Sequence, residues 1–166
     1  MGIYGENDKQ GQYWNETPGQ SWVINDTAMN ERLQTISDIL FEGLDPTGCN
    51  NGLDIGCGAG STTRRLATIM GKKARVTGLD ISEKLLTLAR AHSQSSGQNF
   101  LQADAQSYKF EAEGFDLAIS RFGVMFFENP FKAFQNIKSG IQKGSEMRFV
   151  CWAPLLANDF FLAPLN

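Results

Sequence analysis

Histidine is nearly missing from this chain of 166 residues: His92 stands alone. Any site that needs two imidazoles is thereby excluded. Cysteine is scarce and poorly spaced. Cys49, Cys57 and Cys151 contain no CxxC pair, which argues against a disulfide framework and a structural zinc site, so no metal is expected. No apolar run reaches the roughly 18 residues that would span a membrane. The polar opening MGIYGENDKQGQ lacks the apolar core of a signal peptide, so the expected setting is the reduced cytoplasm. No GxxxxGKS or GxxxxGKT pattern occurs, which excludes a nucleoside-triphosphate P-loop. Basic residues are outnumbered, 15 against 18 acidic ones, with a net charge of −3. That balance disfavours a broad nucleic-acid footprint.

What is present reads as an ordinary globular chain. The hydrophobic fraction is 42%, and Gly (17) outnumbers Pro (5). A chain of this length makes about one domain and buries roughly 70% of its unfolded surface without cross-links. Residues 1–12 are rich in Gly, Gln, Asn and charge, and are expected to be mobile. Residues 13–166 are expected to form the single domain: a helical lead-in (13–45), a sheet core (50–151) and an apolar tail (152–166). Within the lead-in, Tyr13, Trp14 and Trp22 surround Thr17-Pro18-Gly19 and suggest a turn-rich segment with aromatic anchors. A helix from Asp26 carries Met29, Leu33, Ile36 and Leu40 on one stripe, until Gly43 and Pro46 stop it.

Strand and helix then alternate. Strands are predicted at 51–55, 74–79, 99–103, 115–119 and 147–151. Helices are predicted from Ser61 to Met70 with Leu66, Ile69 and Met70 inward, after a Ser82 cap with Leu85, Leu86, Leu88 and Ala89 as its apolar residues, and from Asn129-Pro130 with Phe131, Phe134, Ile137 and Ile141 on one face. Gln142-Lys143-Gly144-Ser145 reads as the turn before the fifth strand. This pattern predicts α/β architecture, a Rossmann-like, doubly wound, mostly parallel sheet.

The most informative segment is Leu53-Asp54-Ile55-Gly56-Cys57-Gly58-Ala59-Gly60-Ser61. Glycines alternate between a strand and a helix, where a ligand can lie against bare backbone. A dinucleotide fingerprint wants G-x-G-x-x-G, but here the spacing is G-x-G-x-G with Ser61 in the sixth place. Asp54 suits a ligand bearing an ammonium and a sulfonium better than a pyrophosphate. Asp80 ends the next strand, where a carboxylate accepts from a ribose diol, and Ile81 beside it offers an apolar surface to a purine. Asp104 and Ala105 follow the third strand and suit the exocyclic amine and edge of an adenine.

The segments LDIGCGAG, GLDIS, QADAQ and FDLAISRFGVMFF, in that order, resemble the class I S-adenosylmethionine-dependent methyltransferases, in particular the small-molecule, quinone-biosynthesis-like group. The resemblance runs from about Tyr13 to Pro154. It implies S-adenosyl-L-methionine as cofactor, S-adenosyl-L-homocysteine as product and a small-molecule methyl acceptor. It implies that Gly56, Gly58 and Gly60 form the methionine-side loop, with Cys57 among them as a packing residue rather than a nucleophile. Asp54 would then lie near the ligand's amino group, Asp80 on the ribose, Ile81 on the adenine, and Asp104 with Ala105 at the base. Ser120 and Arg121 would face the ligand and the substrate entrance, with Trp14 in the aromatic cover.

Methyl transfer from a sulfonium is an in-line displacement that needs positioning and desolvation more than a triad. No general base stands out, and His92 reads as a surface or helix-end residue. Two alternatives stay open: a cofactor-binding module or truncated, inactive fragment, and a nicotinamide-dependent oxidoreductase. The resemblance leads to the expectation of a sheet without the family's usual antiparallel C-terminal strands after the fifth strand. That strand and the tail residues Leu155, Leu156, Phe160, Phe161 and Leu162 are therefore expected to drive self-association.

Overall fold

The computed structural model describes residues 7–93 and 95–158. Its strands are β1 (Asn51–Ile55), β2 (Arg75–Asp80), β3 (Gln98–Gln102), β4 (Phe115–Arg121) and β5 (Ile141–Val150). They form one sheet in the order β3-β2-β1-β4-β5, and every pairing is parallel. This is the α/β, doubly wound arrangement that the alternation predicts. Among the described residues no antiparallel strand follows β5. The winding reverses between β1 and β4, so the loops leaving their carboxyl ends part and open a crevice.

The helices are α1 (Asp8–Asn15), α2 (Thr17–Ile24), α3 (Asp26–Arg32), α4 (Gln34–Phe41), α5 (Ser61–Met70), α6 (Glu83–Ala91) and α7 (Pro130–Gly140). The two-residue period of the strands sorts side chains between the layers. Leu53, Ile55 and Ala118 pack with Phe110 and Ile137 on the α7 side. Leu117 and Ile119 pack with Leu40, Phe41 and Leu66 on the α4–α5 side. Each fully buried Leu or Ile contributes roughly 1.5–3 kcal/mol. The helix starts are set locally. Ser82 Oγ accepts from Leu85 N at 3.4 Å, and Asn129 Oδ1 accepts from Lys132 N at 3.0 Å. Among the described residues no helix is long and apolar enough to cross a membrane.

Several elements differ from the sequence expectation. Residues 8–12 lie in α1, which is bonded to the turn after β2: Asn15 Nδ2 donates to Ile81 O at 3.1 Å, and Ser82 Oγ donates to Trp14 O at 2.7 Å. Thr17-Pro18-Gly19 begins α2 instead of making a turn, since proline is well placed in a first helical turn. The helix from Asp26 breaks at Leu33, where Ser37 Oγ donates back to Leu33 O at 2.9 Å. Ile69 (40% exposed) and Phe131 (76% exposed) face solvent instead of the core, while Ala133 and Gly140 occupy the inner face of α7. The expected turn at 142–145 is a bulge inside a longer β5. Partners there run from Phe115↔Ile141 to Leu117↔Glu146, and Gly144 takes a φ of 87°. In the tail Leu156 is exposed, while Phe160, Phe161 and Leu162 lie outside the described residues.

Candidate functional site

The crevice opens at the carboxyl ends of β1, β2, β3 and β4. It encloses about 900 Å³, open mouth included. Of the residues singled out in the sequence, Trp14, Gly56, Cys57, Gly58, Asp80, Ile81, Asp104, Ala105 and Arg121 line it. Asp54, Gly60 and Ser120 stand behind its wall.

The glycine loop owes its shape to a backbone contact. Gly56 has a φ of 68°, and a Cβ there would lie 2.5 Å from Gly123 Cα. The loops after β1 and β4 therefore meet glycine to glycine at the reversal point. Gly60 does a different job: it takes the residue before α5 through a φ of 79°, and a Cβ would strike the Phe100 ring at 2.8 Å.

Asp80 lines the crevice with only 8% of its surface exposed. Its carboxylate accepts from Gly58 N and Ser82 N, both at 2.8 Å. Burial pushes its pKa up to about 6, against the lowering effect of those two amides, and the nearby Asp54 charge adds to the rise. Asp104 also lines the crevice; its Oδ1 accepts from Gln106 N at 3.0 Å, and its Oδ2 accepts from Ser107 Oγ at 3.3 Å. Asp26 borders the same space.

Asp54 is placed differently from the expectation of a ligand contact. The pleat of β1 turns it toward α5, where it is fully buried and Oδ2 accepts from Thr62 Oγ1 at 2.7 Å and from Thr63 Oγ1 at 2.6 Å. Burial raises its pKa, while the two hydroxyls and the Arg121 charge work against the rise. Its Oδ1 has no hydrogen-bond partner. Ser120 likewise points away from the crevice. Its Oγ donates to Ile55 O at 2.7 Å and accepts from Val124 N at 3.3 Å, so it staples β4 to β1.

Arg121 borders the crevice and knots the lead-in helices to the sheet. It donates to Ser37 Oγ at 2.8 Å, Asn30 Oδ1 at 2.9 Å and Ser61 Oγ at 3.1 Å. Burial lowers its pKa, and the charges of Asp54 and Asp26 oppose that. Cys57 packs with Leu86, Ala89 and Phe100. Burial, with Asp80 and Asp54 adding to it, drives its thiol well above the ordinary range, which suits a packing role and not a nucleophile.

Trp14 packs edge-on against Phe126 and Trp22, with centroids 5.3 and 6.0 Å away. Phe122 has a left-handed φ of 68° and stacks on Trp152 at 4.9 Å; such a conformation is uncommon for a bulky residue. Met125 is exposed, and His92 lies at the exposed C-terminal cap of α6, away from the crevice. Lining residues that sequence reasoning missed include Asn7, Gln10, Asp26 and Gly123. Gly123 follows Arg121 and Phe122 in the FGV motif and was open to discovery there. Asn7 and Gln10 sit in a polar stretch with no sequence signal.

This arrangement of a parallel sheet, a G-x-G-x-G loop and acidic residues after successive strands has known counterparts. The chain belongs to the methyltransferase domain family, which matches residues 53–149. It falls in the class I, S-adenosylmethionine-dependent group that its motifs resemble. Among its relatives is the ubiquinone/menaquinone biosynthesis C-methyltransferase UbiE of Wigglesworthia glossinidia brevipalpis, 30% identical over 99 residues, or 57% of this chain and 40% of the relative. The chain thus spans less than half of that protein's length. An S-adenosylmethionine-dependent methyltransferase from Mesorhizobium loti superposes with a TM-score of 0.64 at 29% identity, covering 72% of this chain and 55% of the other. A chain from the complex of the Haloferax volcanii Trm112 methyltransferase activator with its methyltransferase superposes with a TM-score of 0.70, covering 78% and 57%. At 21% identity, that last likeness speaks for the fold.

Proposed function

We propose that this chain binds S-adenosyl-L-methionine in the crevice and transfers its methyl group, in line, to a small-molecule acceptor. The observation that carries the reading is the convergence of Asp80 and Asp104, from neighbouring strands, on one crevice floored by a bare glycine loop. The fit is chemical. Asp26, Asp80 and Asp104 against the single cation Arg121 favour a positively charged ligand. Ile81, Leu85, Ala105 and Trp14 offer apolar faces to a purine. Gly56 and Gly58 present backbone where a side chain would otherwise stand.

When bound, the cofactor supplies an electrophilic methyl on a good leaving group. The chain's own residues do the rest. Asp80 accepts from the ribose hydroxyls, held in place by the Gly58 and Ser82 amides. Asp104 and Ala105 border the base. Arg121 fixes the α5 end of the crevice through Ser61. Trp14, Phe122 and Phe126 exclude water from the mouth, which strengthens every charge interaction inside. No side chain is assigned as a general base.

Calorimetry with S-adenosylmethionine, S-adenosylhomocysteine and NAD tests the reading. The first two are expected to bind and NAD is not. Asp80→Ala is expected to weaken S-adenosylhomocysteine at least tenfold, the scale of a lost charge-assisted hydrogen bond of about 1.5–3 kcal/mol. Unaltered affinity would remove the ribose assignment. A methylation assay over phenols, quinols, acids and amines separates turnover from simple cofactor binding.

Self-association through β5 belongs to the same proposal. Among the described residues nothing pairs with its outer edge, and Phe149 is 47% exposed. Light scattering is expected to show a mass that rises with concentration; a constant monomer mass would end the idea.

A further inference from the structure

We infer that α1 is a base-reading strap, in which the side-chain amide oxygens of Asn7 and Gln10 accept from the exocyclic amine of the adenine beside Asp104. The inference rests on the adenosyl reading of the crevice and adds residues that the motifs do not touch. Asn7 precedes α1 and is 6% exposed. Its Nδ2 donates to Asp104 Oδ1 at 3.4 Å, which turns its Oδ1 the other way, and that oxygen is buried without a hydrogen-bond partner. Gln10 Oε1 is also buried and without a partner. Asn7, Gln10 and Trp14 fall at three- and four-residue spacing, on one helical face, and all three line the crevice.

Two orphaned acceptors on residues that line one crevice call for a donor. A buried carbonyl oxygen that has left water and found no partner carries its full desolvation penalty. The same penalty is relieved when a ligand brings N–H groups to it. The amine on a purine carries two such hydrogens and no charge, which matches two neutral amide oxygens. The methionine end of the ligand is a poorer match by position. Asn7 bonds Asp104, two residues after β3, whereas the glycine loop leaves β1, with β2 lying between them.

The strap is held where the base sits. At its far end Asn15 Nδ2 donates to Ile81 O at 3.1 Å, Glu83 N donates to Asn15 Oδ1 at 3.0 Å, and Ser82 Oγ donates to Trp14 O at 2.7 Å. These bonds clamp α1 to the turn that follows Asp80. Ribose and base recognition are thus tied together: the turn that holds α1 follows Asp80, and the N-terminal end of α1 carries the two amides.

The test compares S-adenosylhomocysteine with its purine-riboside counterpart, in which hydrogen replaces the amine, by calorimetry on the full chain. The wild type is expected to prefer the amine-bearing ligand at least tenfold. Gln10→Met and Asn7→Leu are each expected to lower affinity for that ligand about five- to tenfold, the worth of one hydrogen bond, and to leave the amine-free ligand within twofold. Gln10→Glu keeps an acceptor and is expected to keep the preference. A merely structural α1 would lose both ligands together, and that outcome overturns the inference. So does an unchanged preference in both variants. If Asn7→Leu does not fold, Gln10→Met decides alone. Failure of the wild type to bind either nucleoside defeats the adenosyl reading itself and this inference with it, whereas binding of both without preference defeats only the strap.

Discussion

Asp54 and Asp80 lie on neighbouring strands and carry the same side chain, yet they meet opposite surroundings. Asp54 is enclosed by its own protein: two threonine hydroxyls from α5 occupy one oxygen, and none of it reaches the crevice. Asp80 takes two backbone amides and still borders open space. The difference comes from the pleat. A mid-strand residue must face one layer or the other, and Asp54 faces α5. The last residue of a strand is released from that choice. Matching motif acids to ligand groups by order alone therefore merges two roles: one acid holds the glycine loop's helix in place, and the other borders the crevice.

Removing Asp54 gives the sharpest test of that contrast. Asp54→Ala strands two buried hydroxyls and removes a counter-charge to Arg121. It is expected to cost about 4 kcal/mol in urea unfolding. A loss under about 1 kcal/mol would erase the distinction between the two acids.

The second test is pH. The Asp80 carboxyl is raised from 3.8 to about 6 in the folded chain, so the folded state favours its protonated form. Its contribution to stability is fully present below 3.8 and is lost as pH rises through 6, about 3 kcal/mol in all. Asp80→Asn is expected to flatten the stability profile across this window. Binding should run the other way: affinity for a cationic ligand rises as the carboxylate ionises near pH 6. A profile identical in Asp80→Asn would assign the titration to another group.

The smallest expected effect sits in the loop. Gly58 has a φ of 55°, and a methyl group added to its Cα would meet nothing within 4 Å. Gly58→Ala should therefore cost only the left-handed strain, about 1–2 kcal/mol, while reducing ligand affinity more than it reduces stability. Equal losses would show that the loop is packing and not cradle.

The fold was legible where the signal is local. The Ser82 and Asn129 caps, the proline at the start of α7 and the glycines after β1 act within a few residues, and the elements they mark stand where they were expected. The lead-in was not legible. Residues 8–12 are polar and include Gly11, and the helix they belong to is held by bonds of Asn15 and Trp14 with Ile81 and Ser82, far away in the chain. Phe131 and Ile69 mark a second limit: a stripe at helical spacing locates an apolar face only to within a neighbouring position, and each lies just past the edge. Of the candidate site, the loop, Asp80 and Asp104 are written in motifs. Asn7 meets Asp104 only after the whole β1–β3 unit has assembled, so no spacing could announce it.

The glycine-to-glycine contact between Gly56 and Gly123 has an engineering consequence. Two chain segments that share no side chains at their crossing cannot be altered one at a time, because a methyl on either displaces the other's main chain. Loop grafts at this crevice should move both glycines as a single cassette.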